Sequence, residues 1–399
     1  MLALLWLLYV SFGLVSSALA PLVTPIVKDL GMSYSQMGLV LGAFQLTFIA
    51  SSIFAGSILD RWGERKSLFI GVLIISLSGC LRYFANGFGT LFPIVALIGV
   101  GGPMISAGGP KVISLWFEGN RRGTALGIYL TGSSTGVLLG WTLTNSLVMP
   151  LVDYNWRTTF LIYGILAFII ALLWLLLSRD IRVGLATPAR MDIFRTLKQI
   201  VRIRNVQLVL IIGFLYLATV HGTMNWLPKI LETGGMTPAF AGFAASAFVI
   251  AGLPATIFFS HIIPLNLRGR SLALSALGVA ITLCGVVVTS GALQFISLIL
   301  LGVTTSTFFP VLILILMDSS GIPSEYLGSA NGVFLCIAQV GGFLAPYVMG
   351  ALFDFTGGFL AGMLTLAALN LIIIPVTFML QTKPLSSELA QDKKQLASE

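Results

Sequence analysis

The sequence predicts an all-α integral membrane protein with twelve transmembrane helices arranged as two pseudo-symmetric six-helix bundles. Three observations carry this expectation. The 399 residues are 57% hydrophobic and only 9% charged, with a mean hydropathy of +1.00, whereas about a quarter of a soluble domain is charged. The apolar residues form continuous runs of about 20 or more, the length of a bilayer-crossing helix, not the short alternating strands of an outer-membrane barrel. Internal similarity at a fixed offset also divides the chain into two copies of one unit.

Twelve runs follow one another, at 2–27, 37–59, 67–85, 91–117, 123–148 and 157–178, then at 206–231, 240–263, 271–290, 293–317, 327–353 and 359–381. They leave no room for a folded extramembrane domain. The first run has no basic segment before it and no small-residue cleavage site after it, so it reads as a span and not as a secretory signal. The loops and tail expected on one face hold 17 Lys and Arg, against Lys28, Arg157 and Lys229 on the other. By the positive-inside rule the first face is cytoplasmic, with both termini, in a plasma (bacterial inner) membrane. The net charge of +8 therefore reports topology, and no nucleic-acid partner is expected.

Residues 179–205 read as a cytoplasmic linker, with a short amphipathic helix around 191–203 lying on membrane lipid. The linker separates an N-terminal bundle (1–178) from a C-terminal one (206–381), and 382–399 read as a disordered cytoplasmic tail. Cys80, Cys284 and Cys336 fall inside apolar runs without paired spacing, which excludes a disulfide framework and a metal cluster. The repeat is local and consistent. Gly31-Met32-Ser33 and Gly38 recur as Gly235-Met236-Thr237 and Gly242, offset 204, and Lys66-Ser67-Leu68 recurs as Arg270-Ser271-Leu272 at the same offset. Such repeats place a substrate pathway between the halves.

The densest charge lies between the second and third runs, in Gly56-Ser-Ile-Leu-Asp60-Arg61-Trp62-Gly63-Glu64-Arg65-Lys66. A turn there needs Gly63 for the reversal and Gly56 for close helix approach. The spacing resembles the signature of the major facilitator superfamily, G-x-x-x-D-R-x-G-R-[RK], with Gly56, Asp60, Arg61, Gly63, Arg65 and Lys66 on the pattern and Glu64 departing from it. Asn155-Trp156-Arg157 and Gly350-Ala-Leu-Phe-Asp354 with Gly357 are further family marks. The second copy of the turn has lost its pattern, with Ser260 and Pro264 where Gly56 and Asp60 stand. The resemblance implies alternating access, with Asp60, Arg61 and Arg65 clamping the cytoplasmic ends of spans two and eleven.

No P-loop, dinucleotide fingerprint or zinc spacing is present, so neither an enzyme nor a cofactor is expected, and transport must run on gradients. All fourteen acids fall in loops, in the tail or at span ends, although a buried carboxylate is the usual proton carrier in a membrane pathway. His221, near the middle of span seven, is the proton-coupling candidate, and Asn225 lies one turn on along the same face, followed by Trp226. Gln45, Gln339 and Tyr9 are further substrate-binding candidates. Lys111 in span four is the candidate for a substrate anion, Arg82 a weaker one, and His261 reads as interfacial. Gly132, Gly136 and Gly140 form one face of span five, expected to meet span eight.

Buried cations without buried acids make a small organic anion the leading substrate, and the segment from Gly109 to Ala125 resembles organic-anion and nitrate/cyanate-type porters of the superfamily. A facilitator of a neutral, zwitterionic or quaternary-amine solute held by aromatic faces is the alternative. A non-transporting receptor or scaffold is a second alternative. The protein is expected to act as a monomer, with a proton or ion as the coupling partner.

Overall fold

The computed structural model describes residues 1–179, 201–319 and 327–380, and every regular element in them is helical. Most of the linker and the whole tail from 382 lie outside these residues. In chain order the helices are α1 (Leu2–Ser17), α2 (Val23–Leu30), α3 (Tyr34–Trp62), α4 (Glu64–Leu81), α5 (Phe88–Trp116), α6 (Asn120–Leu143) and α7 (Trp156–Leu177). They continue with α8 (Arg204–Thr233), α9 (Pro238–Ile262), α10 (Arg268–Val288), α11 (Gly291–Ser306), α12 (Phe308–Met317), α13 (Leu327–Thr356) and α14 (Leu360–Phe378).

Among the described residues these make twelve rods, because α1 with α2 and α11 with α12 each form one broken span. Both breaks have the same cause. A proline cannot donate to the carbonyl four residues back, and Pro21 and Pro310 stand four residues beyond Ser17 and Ser306, where α1 and α11 stop. Eleven rods are long and apolar enough to cross a membrane. The twelfth, α6, is more polar because it carries Arg121, Arg122 and the run Thr131-Gly-Ser-Ser-Thr135. Its Thr131 and Thr135 hydroxyls donate to carbonyls within the helix, at 2.7 and 2.9 Å.

The repeat seen in the sequence is repeated in geometry. Gly31 and Gly235 both take positive φ, +61° and +97°. The Met32 and Met236 amides donate to the Val27 and Leu231 carbonyls at the same 3.2 Å. Ser33 and Thr237 then cap the next helices by accepting from the Gln36 and Phe240 amides, at 3.1 and 3.3 Å. Helix exit, turn and N-cap are thus reproduced 204 residues apart.

The chain forms two compact units. The first comprises 1–187, 221–249 and 342–362, and so joins α1–α7 to the adjoining ends of α8, α9 and α13. Its helices meet at reciprocal glycine pairs, Gly13 with Gly136, Gly71 with Gly101 and Gly79 with Gly164, where a Cβ on one would collide with the other's backbone. In lipid no hydrophobic force presses helices together, and such close approach supplies the packing. The glycine face of α6 packs on α1, at the Trp6 and Val10 carbonyls and Ser17, and not on span eight as expected, because Gly13 of α1 lies opposite Gly136. Arg82 is fully buried, with Nη1 donating to the Val15 carbonyl at 3.1 Å and its guanidinium 4.5 Å over the Phe160 ring.

The second unit, 188–220, 250–341 and 363–399, is built in the same way. Gly341 packs on the Phe214 carbonyl, Gly252 on Ser306, and Asn370 Nδ2 donates to Thr219 Oγ1 at 2.8 Å. Arg268 pairs with Asp318 at one end.

Replacing Gly164 by Leu is expected to cost about 1–3 kcal/mol through overpacking against α4. It should show as a lower Tm of the detergent-solubilised protein, while Gly123→Ala, where an added Cβ meets nothing within 4 Å, does not lower Tm.

Candidate functional site

At the charged turn, Gly63 reverses the chain at φ +78° and serves as the end of α3 and the start of α4. Lys111 does not stand free for an anion. Its Nζ donates to Asp60 Oδ1 at 2.8 Å and lies 2.9 Å from Glu64 Oε1. The flexible stem carries the ammonium to the turn, so Lys111 ties α5 to the α3–α4 hairpin, and Glu64, the departure from the family pattern, is its second partner. Arg65 donates from Nε to the Leu175 carbonyl at 3.1 Å, and Trp174 Nε1 donates back to the Arg65 carbonyl at 3.0 Å. Arg61 and Lys66 are exposed. Gly56 is not a point of close approach here, since an added Cβ would meet nothing within 4 Å.

The opposite end of α3 is held by a carboxylate of the Gly350–Gly357 mark. Asp354, in the last turn of α13, accepts through Oδ1 from the Tyr34 amide at 2.9 Å and through Oδ2 from the Ser35 amide at 2.8 Å. These are orphan donors at the positive end of a helix, where an anion is stabilised by both hydrogen bonding and the dipole. Added Cβ atoms at Gly38, Gly42 and Gly350 would collide with the carbonyls of Pro346, Phe343 and Tyr34. The Tyr34 ring centroid lies 3.9 Å from that of Phe353 and 5.9 Å from that of Trp226. Trp226 is fully buried in this clasp, with Nε1 donating to the Pro346 carbonyl at 3.0 Å.

Two more contacts close the same end. Lys229, counted as an outer-loop cation, is a buried residue of α8, donating to Thr24 Oγ1 at 2.6 Å and to Glu232 Oε1 at 3.2 Å, while Thr24 donates to Glu232 at 2.8 Å. Gly242 packs on the Trp141 carbonyl. One signal for this closure was in the sequence: Gly56-x3-Asp60-x2-Gly63 and Gly350-x3-Asp354-x2-Gly357 are the same pattern, and both final glycines take positive φ, +78° and +75°.

Between these ends runs a wall of aromatic side chains, Tyr9, Phe12, Phe44 and Phe48 half-buried and Tyr129 fully buried. Tyr9 stacks on Tyr129 at 4.6 Å and on Phe12 at 5.9 Å, and the Tyr129 hydroxyl donates to the Ile105 carbonyl at 2.8 Å. The Phe12 and Phe48 rings both rest on Gly102, which has no side chain to hold them off. One turn from Phe48, Phe44 meets the His221 ring edge-on at 6.1 Å. Gln45 follows Phe44 and is fully buried, yet neither its oxygen nor its nitrogen has a protein partner, and Asn225 Nδ2 and Thr223 Oγ1 on α8 are likewise unpartnered. Buried polar groups are otherwise nearly always bonded. The wall links Tyr9 to His221 by way of Phe12, Phe48 and Phe44, with Gln45 next to Phe44 on α3 and Asn225 one turn beyond His221 on α8. Lys111 and Trp226 are held apart from them, and Gln339, whose Oε1 is also unpartnered, lies in the second unit. The His261 side chain is outside the described residues.

The family model of the Major Facilitator Superfamily matches residues 5–346 and 209–398. The chain belongs to the Major Facilitator Superfamily. It is a membrane transporter and not an enzyme. A probable galactarate/D-glucarate transporter of Bacillus subtilis is 24% identical over 92% of this chain and 88% of its own length. A hexuronate transporter of Bacillus subtilis is 24% identical over 86% and 85%, and a D-galactonate transporter of Escherichia coli 24% identical over 82% of each. Among solved structures, a bacterial homologue of the human lysosomal transporter Spinster superposes with a TM-score of 0.78 at 14% identity, covering 95% of this chain and 96% of that one. A D-xylose–proton symporter does so with a TM-score of 0.75 at 16% identity, covering 96% and 97%. These two likenesses show the Major Facilitator fold.

Asp354→Ala removes the cap on α3 and is expected to weaken closure by about 1 kcal/mol. In a cysteine-free background, maleimide labelling of a cysteine at position 35 should become about fivefold faster, an increase that Asp354→Glu largely reverses.

Proposed function

We propose that this chain carries a sugar acid, of the aldarate, hexuronate or aldonate class, across the bacterial inner membrane by alternating access. The observation that carries this reading is the aromatic wall that ends at His221, with the unpartnered Gln45 amide and Asn225 Nδ2 on the two helices whose rings meet there. Aromatic faces pack against the C–H faces of a polyol or sugar ring, and buried amides left without partners are suited to hydroxyl and carboxylate groups, rejecting solutes that lack them. The relatives named as galactarate, hexuronate and galactonate transporters support the same class.

The two six-helix halves, 1–178 and 206–381, rock as bodies joined by 179–205, with both termini cytoplasmic as the distribution of Lys and Arg supports. The protein works as a monomer in lipid and couples to a proton, with His221 as carrier. Asp60, Arg61 and Arg65 form the cytoplasmic clamp, and the Asp354 clasp closes the outer end. Lys111 belongs to the clamp and not to the substrate.

The test is uptake by the full chain in proteoliposomes of labelled glucuronate, galactonate and galactarate, against xylose and choline. Saturable uptake of an acid, with xylose and choline excluded, is the expected result. Choline or xylose uptake without acid uptake overturns the reading in favour of a neutral or quaternary-amine facilitator, and absence of acid uptake with no other substrate taken up overturns the sugar-acid class. Lys111→Gln should change the maximal exchange rate while leaving KM within about twofold, as expected for a residue that does not touch the substrate.

A further inference from the structure

An anion that enters hydrocarbon-lined space needs a counter-charge, because an isolated ion there costs far more than binding supplies. The described cations of the first unit are engaged elsewhere or stand at helix ends. Lys111 holds Asp60 and Glu64, Lys229 holds Glu232 and Thr24, and Arg157 holds Asp29. Arg82 is fully buried against Phe160 and the Val15 carbonyl, neither of them on the aromatic wall, with its Nε and Nη2 left unpartnered there. On the aromatic wall only His221 has a side chain whose ordinary titration falls between about pH 5 and 8.

We infer that His221, as imidazolium, is the counter-ion of the substrate carboxylate, so that one proton and one carboxylate bind together at this ring. This rests on the sugar-acid reading above and narrows it to monocarboxylates, hexuronates and aldonates, over dianionic aldarates. A solvent proton is taken up by the free imidazole nitrogen as the carboxylate arrives and is released with it on the other side. Proton and monocarboxylate cross with no net charge, whereas an aldarate carries one negative charge that nothing on the wall compensates.

The groups around His221 leave its charge to be set by what binds. Along α8, Lys229 and Glu232 lie about 12 and 16 Å away at about 1.5 Å per residue, each with partners of its own, and Tyr216 lies below. On α3, Tyr34, Asp60 and Arg61 are all ten or more residues from Phe44. On α2 the charges are Lys28 and Asp29, and Asp29 is taken by Arg157. On the 342–362 segment they are Tyr347 and Asp354, the latter bound to the start of α3. The helix α14 has no charged residue.

The experiment measures glucuronate exchange and proton-driven uptake by the reconstituted full chain at about pH 5.5 and about pH 7.5, on either side of the ordinary histidine pKa. For wild type the KM for glucuronate should rise about tenfold between the two. Uptake should be insensitive to membrane potential for glucuronate and opposed by an inside-negative potential for galactarate. His221→Gln should raise KM about tenfold at the lower pH and abolish the pH slope. His221→Lys, permanently charged, should keep exchange at a pH-independent KM while losing proton-driven accumulation. If His221→Gln exchanges glucuronate with the wild-type KM and slope, the His221 assignment is overturned and the sugar-acid reading stands. If wild type exchanges none of the acids, both fall. Monodisperse elution and an unchanged Tm identify folded variants, and His221→Asn replaces Gln where Gln fails to fold.

Discussion

Hydrocarbon accepts neither an open backbone group nor an isolated charge, and the arrangement of this molecule follows from satisfying both demands without water. Charge is carried to the helix ends and paired there. Lys111 reaches two carboxylates, Arg157 reaches Asp29 across the start of α7, and Lys229 is bracketed by Thr24 and Glu232. The first amides of α3, which have no partner within their own helix, are met by the Asp354 carboxylate. Among the groups of the first unit where the same demand goes unmet, Gln45, Thr223 and Asn225 lie on the two helices, α3 and α8, whose Phe44 and His221 rings meet at the end of the aromatic wall.

Close backbone approach is the second half of the design. Helices held only by dispersion and by small-residue contacts can part and re-form without stripping a large apolar interface from water. The closed end shows both kinds of contact, glycine against carbonyl along α3 and α13, and carboxylate against amide at the tip. The glycines of α5 have a different use. Gly102 lets Phe12 and Phe48 settle on the helix itself, and Gly109 lies directly beneath Tyr129, so a run that carries no phosphate-binding signal shapes the wall.

The repeated G-x3-D-x2-G pattern gives α3 a carboxylate at either end, its own Asp60 at the turn and Asp354 of α13 at its start. One engages a lysine and the other a helix N-terminus. A latch made of a few charged hydrogen bonds in a half-exposed position is strong enough to fix one arrangement and weak enough to be exchanged.

The sequence by itself determined what depends on hydropathy and local backbone chemistry: the twelve rods, the reversal at Gly63, the duplicated Gly-Met-Ser/Thr turn and the family. These are properties of runs and of neighbours along the chain, and burial in lipid demands them whatever the packing. It also singled out His221, Asn225, Gln45 and Tyr9, because a polar group in an apolar run is conspicuous. Only the tertiary structure decided the partners. Lys111, the anion candidate, is tied to Asp60 and Glu64; Trp226, a substrate-face candidate, is packed in the clasp; the glycine face of α6 is turned to α1. The physical reason is that the reach of a long side chain and the rotation of a helix about its axis are set by residues far away in sequence, at distances that hydropathy does not encode.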